Sequence, residues 1–299
     1  MNDLFLRNTS KILEQPKYFY PVITTYRNSC ELSRKWSYQV VNDEEIKADL
    51  KNVLNKIERT FKKKEKIILP RIAVFEIKSK EVLKTLPYAA YENKTCTIII
   101  NLQIARSFDE EFLITHEMCH HFVSRMSQNG KKGFLYVLDG YEYGNMLDEG
   151  FTNLLTEQVC QKRENLSYIF PTFVAREFAN IIGIKKANNL YISSSLNVIR
   201  EDFNKKLEKY YVVPKIESDD FKTHFMEFST FEILCANLEY VGHFWGSTSD
   251  NILIKIRKSA KCIFEMLNYY ALLSNTTDFR KYKAEQERFM SEYGKYLDL

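Results

Sequence analysis

The chain carries a dense group of metal-binding side chains in the segment Thr115-His116-Glu117-Met118-Cys119-His120-His121. The segment contains the pattern HExxH. Residues four apart on an α-helix lie on the same face, so His116 and His120 can bind one metal ion. Glu117 lies about 100° around the helix axis, where it can reach a water molecule at that ion. The segment therefore predicts a zinc site of the hydrolytic type.

The surrounding residues predict a helix that gives this spacing its meaning. Ser107 and Glu110 form the pattern of a capping box, so we expect the helix to begin at Ser107. No Pro or Gly interrupts residues 107–128, and apolar residues recur at helical intervals. The alternative is a helix whose histidines serve only the core or the surface. Because the chain has 5 histidines and two stand at ligand spacing, we favour the metal site.

A catalytic zinc ion usually has three protein ligands and one open position. The longer pattern HExxHxxGxxH is excluded, because Val123 and Met126 stand where it needs Gly and His. A second helical segment, residues 145–155, reads NMLDEGFTNLL and offers the carboxylate of Glu149 from a helix packed across the first. The predicted ligands of one zinc ion are thus His116, His120 and Glu149.

Three neighbouring side chains could compete as ligands, and each is assigned another role. His121 points about 100° away from His120, which predicts a core histidine or one that supports a ligand. Asp148 is misaligned with Glu149 in the same way, and we expect it to offset the dipole of its helix. Cys119 points to the opposite face and is interpreted as a small buried hydrophobe.

HExxH followed by Asp-Glu-Gly-Phe-Thr resembles the glutamate-zincins, the thermolysin- and aminopeptidase-like metallopeptidases, over about residues 71–161. In that clan the glutamate of a similar segment is the third zinc ligand, which implies the same role for Glu149. The thermolysin branch has an aspartate four residues later, whereas this chain has Asn153. Asn153 or Thr152 could instead accept the N–H of a ligand imidazole. No subfamily is assigned.

The fold class expected is α+β and mostly helical, with a zincin-like upper lobe of a small mixed sheet and the HExxH helix. An amphipathic helix is predicted over residues 43–64, and strands over 71–77 and 95–101. By the resemblance, residues 97–101 would lie at the sheet edge and bind peptide main chain. An ordinary buried strand is the equal alternative.

The C-terminal lobe is expected to be helical. We predict helices over residues 172–182, 188–210, 218–240, 250–273 and 277–293, the last ended by Gly294. Residues 241–247 are either an interhelical loop or part of a substrate pocket. The predicted organisation is an N-terminal segment, 1–42, an upper lobe, 43–144, and a C-terminal lobe with the third ligand, 145–299.

The predicted chemistry is hydrolysis of peptide bonds. Zinc would activate a water molecule, and Glu117 would take its proton and pass it to the leaving amine. A hydrogen-bond donor for the oxyanion is also needed, and related enzymes supply a Tyr or His. The candidates are Tyr141, Tyr143, Tyr191, Tyr210, Tyr211, His224, Tyr240 and His243.

Charge, hydropathy and cysteine content restrict the classes of partner and the location that we expect. The formal charge of +4 is small, and the basic run 62–66 has no recognition module beside it, so we predict no nucleic-acid partner. No segment is apolar enough for a signal peptide or a membrane span. The 6 cysteines are scattered without CxxC pairs, which favours reduced thiols and a cytoplasmic location.

Three functions remain. The favoured one is a zinc metallopeptidase acting on a peptide or protein substrate. The second is a catalytically silent zincin-fold protein that regulates or senses peptides. The third is a structural zinc site, which requires a fourth protein ligand. The intact Glu117 favours catalysis, because a silent site has no chemical need for that carboxylate.

Overall fold

The structure is a computed structural model in which a small sheet and a larger set of helices can be described. The described residues are 38–41, 44–62, 67–75, 88–101, 109–126, 136–138, 141–163, 168–193, 196–207, 229–274, 276 and 279–298. Within them the chain is mostly helical with a small mixed sheet, which confirms the α+β prediction. The predicted N-terminal segment, 1–42, lies outside these ranges except for one strand.

Four short strands form the main sheet in the order β1-β2-β4-β3. They are β1, Tyr38–Val41; β2, Arg71–Phe75; β3, Ala89–Glu92; and β4, Thr97–Ile100. β2 and β4 run parallel, with Arg71 opposite Thr97, and the outer pairs are antiparallel. Helix α1, Glu44–Phe61, precedes β2 and buries an apolar face that includes Leu50 and Ile57. The predicted order of helix, strands and HExxH helix is therefore present.

β4 is an inner strand. It hydrogen-bonds to β2 on one side and to β3 on the other, and Thr97, Ile98 and Ile99 are buried. Its main-chain groups are therefore used within the sheet, so the prediction of a peptide-binding edge at residues 97–101 is wrong and the buried-strand alternative is correct. Among the described strands, β1 and β3 form the edges.

Helix α2, Glu110–Met126, carries HExxH near its middle. It begins later than the capping-box pattern predicts. The carboxylate of Asp109 accepts a hydrogen bond from the N–H of Phe112 at 3.0 Å, and the Asp109 carbonyl accepts from Leu113. Asp109 therefore caps α2. Ser107 lies outside the described residues.

The described residues of the C-terminal half contain seven helices. They are α3, Asn145–Cys160; α4, Ile169–Ile182; α5, Ile184–Ile192; α6, Leu196–Leu207; α7, Thr230–Phe244; α8, Asp250–Leu273; and α9, Phe279–Leu297. A hairpin of β5, Tyr136–Leu138, and β6, Tyr141–Tyr143, connects α2 to α3. The bounds of α8 are those that the sequence predicts.

Other helix bounds differ from the predictions. The segment 188–210 is not one helix, because α5 ends at Ile192. The N–H and the hydroxyl of the following Ser193 both donate to carbonyls of its last turn. The helix predicted over 218–240 begins at Thr230, after a capping box of Ser229 and Glu232; residues 218–228 lie outside the described ranges. Gly294 is buried inside α9 and does not end it, because the following Leu297 is also buried in the core.

One cluster of buried residues extends from Leu50 on α1 to Leu297 on α9. The ligand helices α2 and α3 both contribute to it, with Phe122 and Phe151 fully buried. Around α4 the core is aromatic, with Phe173 and Phe289 stacked at a centroid distance of 4.2 Å. Among the helices described, none is both long and apolar enough to cross a membrane.

Candidate metal centre

The three predicted ligands meet between α2 and α3. Nε2 of His116 and Nε2 of His120 lie 3.1 and 3.2 Å from the same atom, Oε2 of Glu149. The two imidazole planes are inclined by 76°. In a tetrahedral zinc site with bonds of about 2.0–2.1 Å, neighbouring ligand atoms are roughly 3.4 Å apart. The two measured distances are close to this spacing, and the three side chains could hold a metal ion.

Close packing behind Glu149 explains the glycine that follows it. A Cβ atom at Gly150 would lie 2.2 Å from the carbonyl oxygen of Pro171 and 2.5 Å from its carbonyl carbon. The first turn of α4 therefore rests directly on the backbone of α3. Only glycine permits this approach, which places Glu149 at a point where two helices are in contact.

Asn153 orients the first ligand histidine. Its Oδ1 lies 3.3 Å from Nδ1 of His116, and its Nδ2 donates to the hydroxyl of Thr172 at 3.0 Å. The second bond fixes the amide so that its oxygen faces the imidazole. With its Nδ1–H donated to Asn153, His116 presents the lone pair of Nε2 to a metal.

A chain of hydrogen bonds orients the second ligand histidine. Nδ1 of His120 lies 3.2 Å from the Thr152 hydroxyl, which lies 2.5 Å from the Tyr191 hydroxyl. Tyr191 donates onward to the carbonyl of Asp148 at 3.2 Å. All bonds are satisfied when His120 donates to Thr152 and Thr152 to Tyr191. Asn153 and Thr152, which the sequence suggests as partners of ligand imidazoles, therefore each contact one of the two predicted ligand histidines.

The charges around the ligands favour a cation. Burial lowers the pKa of His120, but Glu149 and Asp148 outweigh it and raise that pKa well above its ordinary value. Oδ2 of Asp148 lies 3.4 Å from Nδ1 of His120. The sequence predicts only that Asp148 offsets the helix dipole, and this contact adds a second role. The same carboxylates would stabilise a divalent metal ion.

Tyr168 belongs to this centre and is absent from the predicted candidates. Its ring stacks on that of His116, with centroids 5.9 Å apart and planes inclined by 12°. The charge of Glu149, burial and the charge of Glu117 raise the pKa of Tyr168 well above its ordinary value. Tyr168 therefore keeps its proton and can donate it in a hydrogen bond.

The predicted donor candidates are distributed unevenly. Burial lowers the pKa of His243 on α7, and the charge of Glu149 partly opposes this shift. Tyr191 is committed to Thr152 and Asp148, and Tyr240 is buried against Phe244. Tyr141 and Tyr143 lie in strand β6, not in a loop, and their side chains are not described. The remaining candidates, Tyr210, Tyr211 and His224, lie outside the described residues.

The remaining motif residues divide between the centre and the core. Glu117 directly follows His116, is 5% exposed, and its charge contributes to the raised pKa of Tyr168. His121 is a core residue, as predicted, with its nitrogens 2.8 Å from the Ile68 carbonyl and 3.0 Å from the Tyr91 hydroxyl. Cys119 is fully buried, also as predicted.

Of the segment 241–247, residues 241–244 form the last turn of α7, and residues 245–247 lie in the connection to α8, as the interhelical-loop alternative predicts. Trp245 follows and packs on Phe170 and Tyr296, with centroid distances of 5.6 and 5.0 Å. Its ring therefore contributes to the aromatic core.

Comparison of the chain with known protein families, with curated proteins and with solved structures finds no match. The interpretation of the metal centre therefore depends on its geometry and on the chemistry of its residues.

Proposed function

We propose that this chain is a zinc-dependent peptidase with a zincin-like fold, of the glutamate-zincin type. The observation that carries the proposal is the meeting of His116 Nε2, His120 Nε2 and Glu149 Oε2; the helix of the two histidines also carries the buried Glu117, directly after His116. Two imidazole nitrogens and one carboxylate oxygen suit zinc. In the described part of the chain the cluster has three members, the number typical of a catalytic zinc site.

Zinc, when bound, supplies a Lewis acid that polarises the peptide carbonyl and lowers the pKa of water. Glu117 accepts the proton of the attacking water and delivers it to the leaving amine. Tyr168, which keeps its proton, donates a hydrogen bond to the developing oxyanion. Asn153 and Thr152 keep the two imidazoles in place throughout.

The order of elements supports this proposal. A helix, the mixed sheet and the HExxH helix precede the helix that carries Glu149. The described cysteines are free thiols, which supports the predicted cytoplasmic location.

The test is cleavage of an unbiased peptide library by protein loaded with one equivalent of zinc. Glu117→Gln is expected to bind zinc and remain folded but to lose hydrolysis, because the amide cannot accept the proton. Tyr168→Phe is expected to lower kcat by about 10²–10³-fold, the usual cost of an oxyanion donor. Glu111→Gln changes an exposed carboxylate of the same helix and should leave cleavage unchanged.

The two alternatives give different results. A silent regulatory protein would bind zinc yet cleave no member of the library, and Glu117→Gln would leave its function intact. A structural site would show four protein ligands and no coordinated solvent in X-ray absorption spectra of the zinc-loaded protein. Either result would exclude the peptidase.

A further inference from the structure

The helix that carries Glu149 is capped by a side chain from a distant helix. The first N–H groups of an α-helix have no partner within it. The N-cap residue of α3 is Gly144, in the left-handed region at φ 84°, and it offers no side-chain acceptor. The N–H of Met146 donates instead to Oε1 of Glu239 on α7, at 2.9 Å.

The surroundings of Glu239 are suited to this contact. Its side chain is fully buried, and a buried carboxylate is costly unless hydrogen bonds or positive charge stabilise it. The amino end of α3 provides both an N–H donor and the positive end of a helix dipole. Gly242 lets α7 approach, since a Cβ there would lie 2.4 Å from Sδ of Met146. Helices α7 and α3 therefore contact each other at Met146, the residue whose N–H Glu239 accepts.

We propose that Glu239 is a positioning residue of the metal centre. Met146 and Glu149 are three residues apart in the first turns of α3, so the cap fixes the part of the helix from which the third ligand projects. The same α7 carries His243 one turn after Glu239, with its Nε2 3.9 Å from Oε2 of Glu239. α7 thereby sets the positions of both Glu149 and His243.

Three variants separate the hydrogen bond from the charge. Glu239→Gln keeps an acceptor oxygen at the same reach without the charge. Glu239→Asp keeps the charge but is one methylene shorter, and Glu239→Ala removes both. We expect near-native zinc affinity for Gln, and affinity weakened about tenfold or more for Asp and Ala, as for other residues that orient metal ligands. The inference rests on the metal centre of the proposed function, so the measurement is zinc affinity by chelator competition, without any activity assay.

A second readout and a control distinguish positioning from general stability. The visible absorption spectrum of the Co²⁺-loaded protein reports ligand geometry, and it should change in the Asp and Ala variants but not in Gln. Glu157→Ala removes another buried carboxylate of α3, the partner of Arg176, two turns beyond Glu149. It should lower thermal stability and leave zinc affinity unchanged. Circular dichroism of the metal-free proteins identifies any variant that does not fold, and Asp replaces Ala in that case.

Native zinc affinity and Co²⁺ spectrum in both Asp and Ala would overturn the inference. So would a loss in Gln as large as in Ala, because charge and not the hydrogen bond would then be responsible. If the unaltered protein binds no zinc, the metal centre fails, and the proposed function fails with it. Hydrogen exchange of the Met146 amide, slow in the unaltered protein and fast in Asp and Ala, then still decides whether Glu239 caps α3.

Discussion

Replacement of Gly150 by alanine tests whether helix packing places the third ligand. The added Cβ would lie 2.2 Å from the Pro171 oxygen and 3.2 Å from the Thr172 nitrogen. These are backbone atoms, so no side-chain rotation can relieve the collision. α3 and α4 must move apart by about 1 Å before ordinary van der Waals contact is restored.

That displacement is large on the scale of metal coordination. Metal–ligand distances are held to within about 0.2 Å, and Glu149 is the residue next to the added methyl group. Alanine also favours the helix over glycine by about 1 kcal/mol, whereas overpacking costs about 1–3 kcal/mol. We therefore expect Gly150→Ala to lose about 0–2 kcal/mol of stability and to bind zinc about tenfold or more weakly, as after loss of an orienting contact.

The assay combines urea unfolding of the metal-free protein with zinc titration against a chelator. Gly242→Ala is the matched control, because its Cβ would meet the flexible side chain of Met146 at 2.4 Å. That side chain can turn away, so zinc affinity should fall less than in Gly150→Ala. If Gly150→Ala were more stable than the unaltered protein and bound zinc equally well, the packing of α4 on α3 would not control Glu149.

Three further predictions concern charge and hydrogen bonding. Burial lowers the pKa of His120, but Glu149 and Asp148 outweigh it and raise that pKa, so metal binding must displace the proton of His120. Zinc affinity should therefore rise with pH below that pKa and then level off. Titrations in buffers of different ionisation enthalpy should detect the released proton. Burial raises the pKa of Glu177 to about 9, so the folded state keeps a proton that the unfolded state loses above about pH 4.5. Stability should therefore fall by up to about 1.4 kcal/mol per pH unit between pH 4.5 and 9, and a pH-independent difference in urea midpoint between the protein and Glu177→Gln would contradict this. Asn153→Ala should weaken zinc about tenfold with an unchanged circular dichroism spectrum, and native affinity would show that His116 needs no such partner.

The two histidines that could hold a metal ion could be predicted because their arrangement depends on local spacing. His116 and His120 share a helix face whatever the remaining chain does. The limits of α8 could also be predicted, because its apolar residues recur regularly over the whole helix. Glu149 required more than spacing: the helical pattern predicted a second helix that offers its carboxylate, and the family resemblance implies the same role.

Elements that depend on neighbours could not be predicted in the same way. β3 is only four residues, Ala-Ala-Tyr-Glu, and pairing with β4 makes it a strand. Tyr168 belongs to no motif, since it reaches His116 only because the start of α4 packs on α3. The capping box of Ser229 and Glu232 was a signal that the sequence did contain, and it would have moved the start of α7 to the correct residue.

Two contacts that place Glu149 come from residues far along the chain. Pro171 limits the approach of α4, and Glu239 caps the amino end of α3. Neither Pro171 nor Glu239 belongs to HExxH or to the Asp-Glu-Gly-Phe-Thr segment. Gly150 of the second segment is the residue that Pro171 contacts. The motifs thus specify which atoms can bind a metal, whereas packing specifies whether those atoms meet. Variants at Gly150 and Glu239 leave every predicted ligand in place, so a loss of zinc affinity in them would measure the contribution of contacts outside the ligand set.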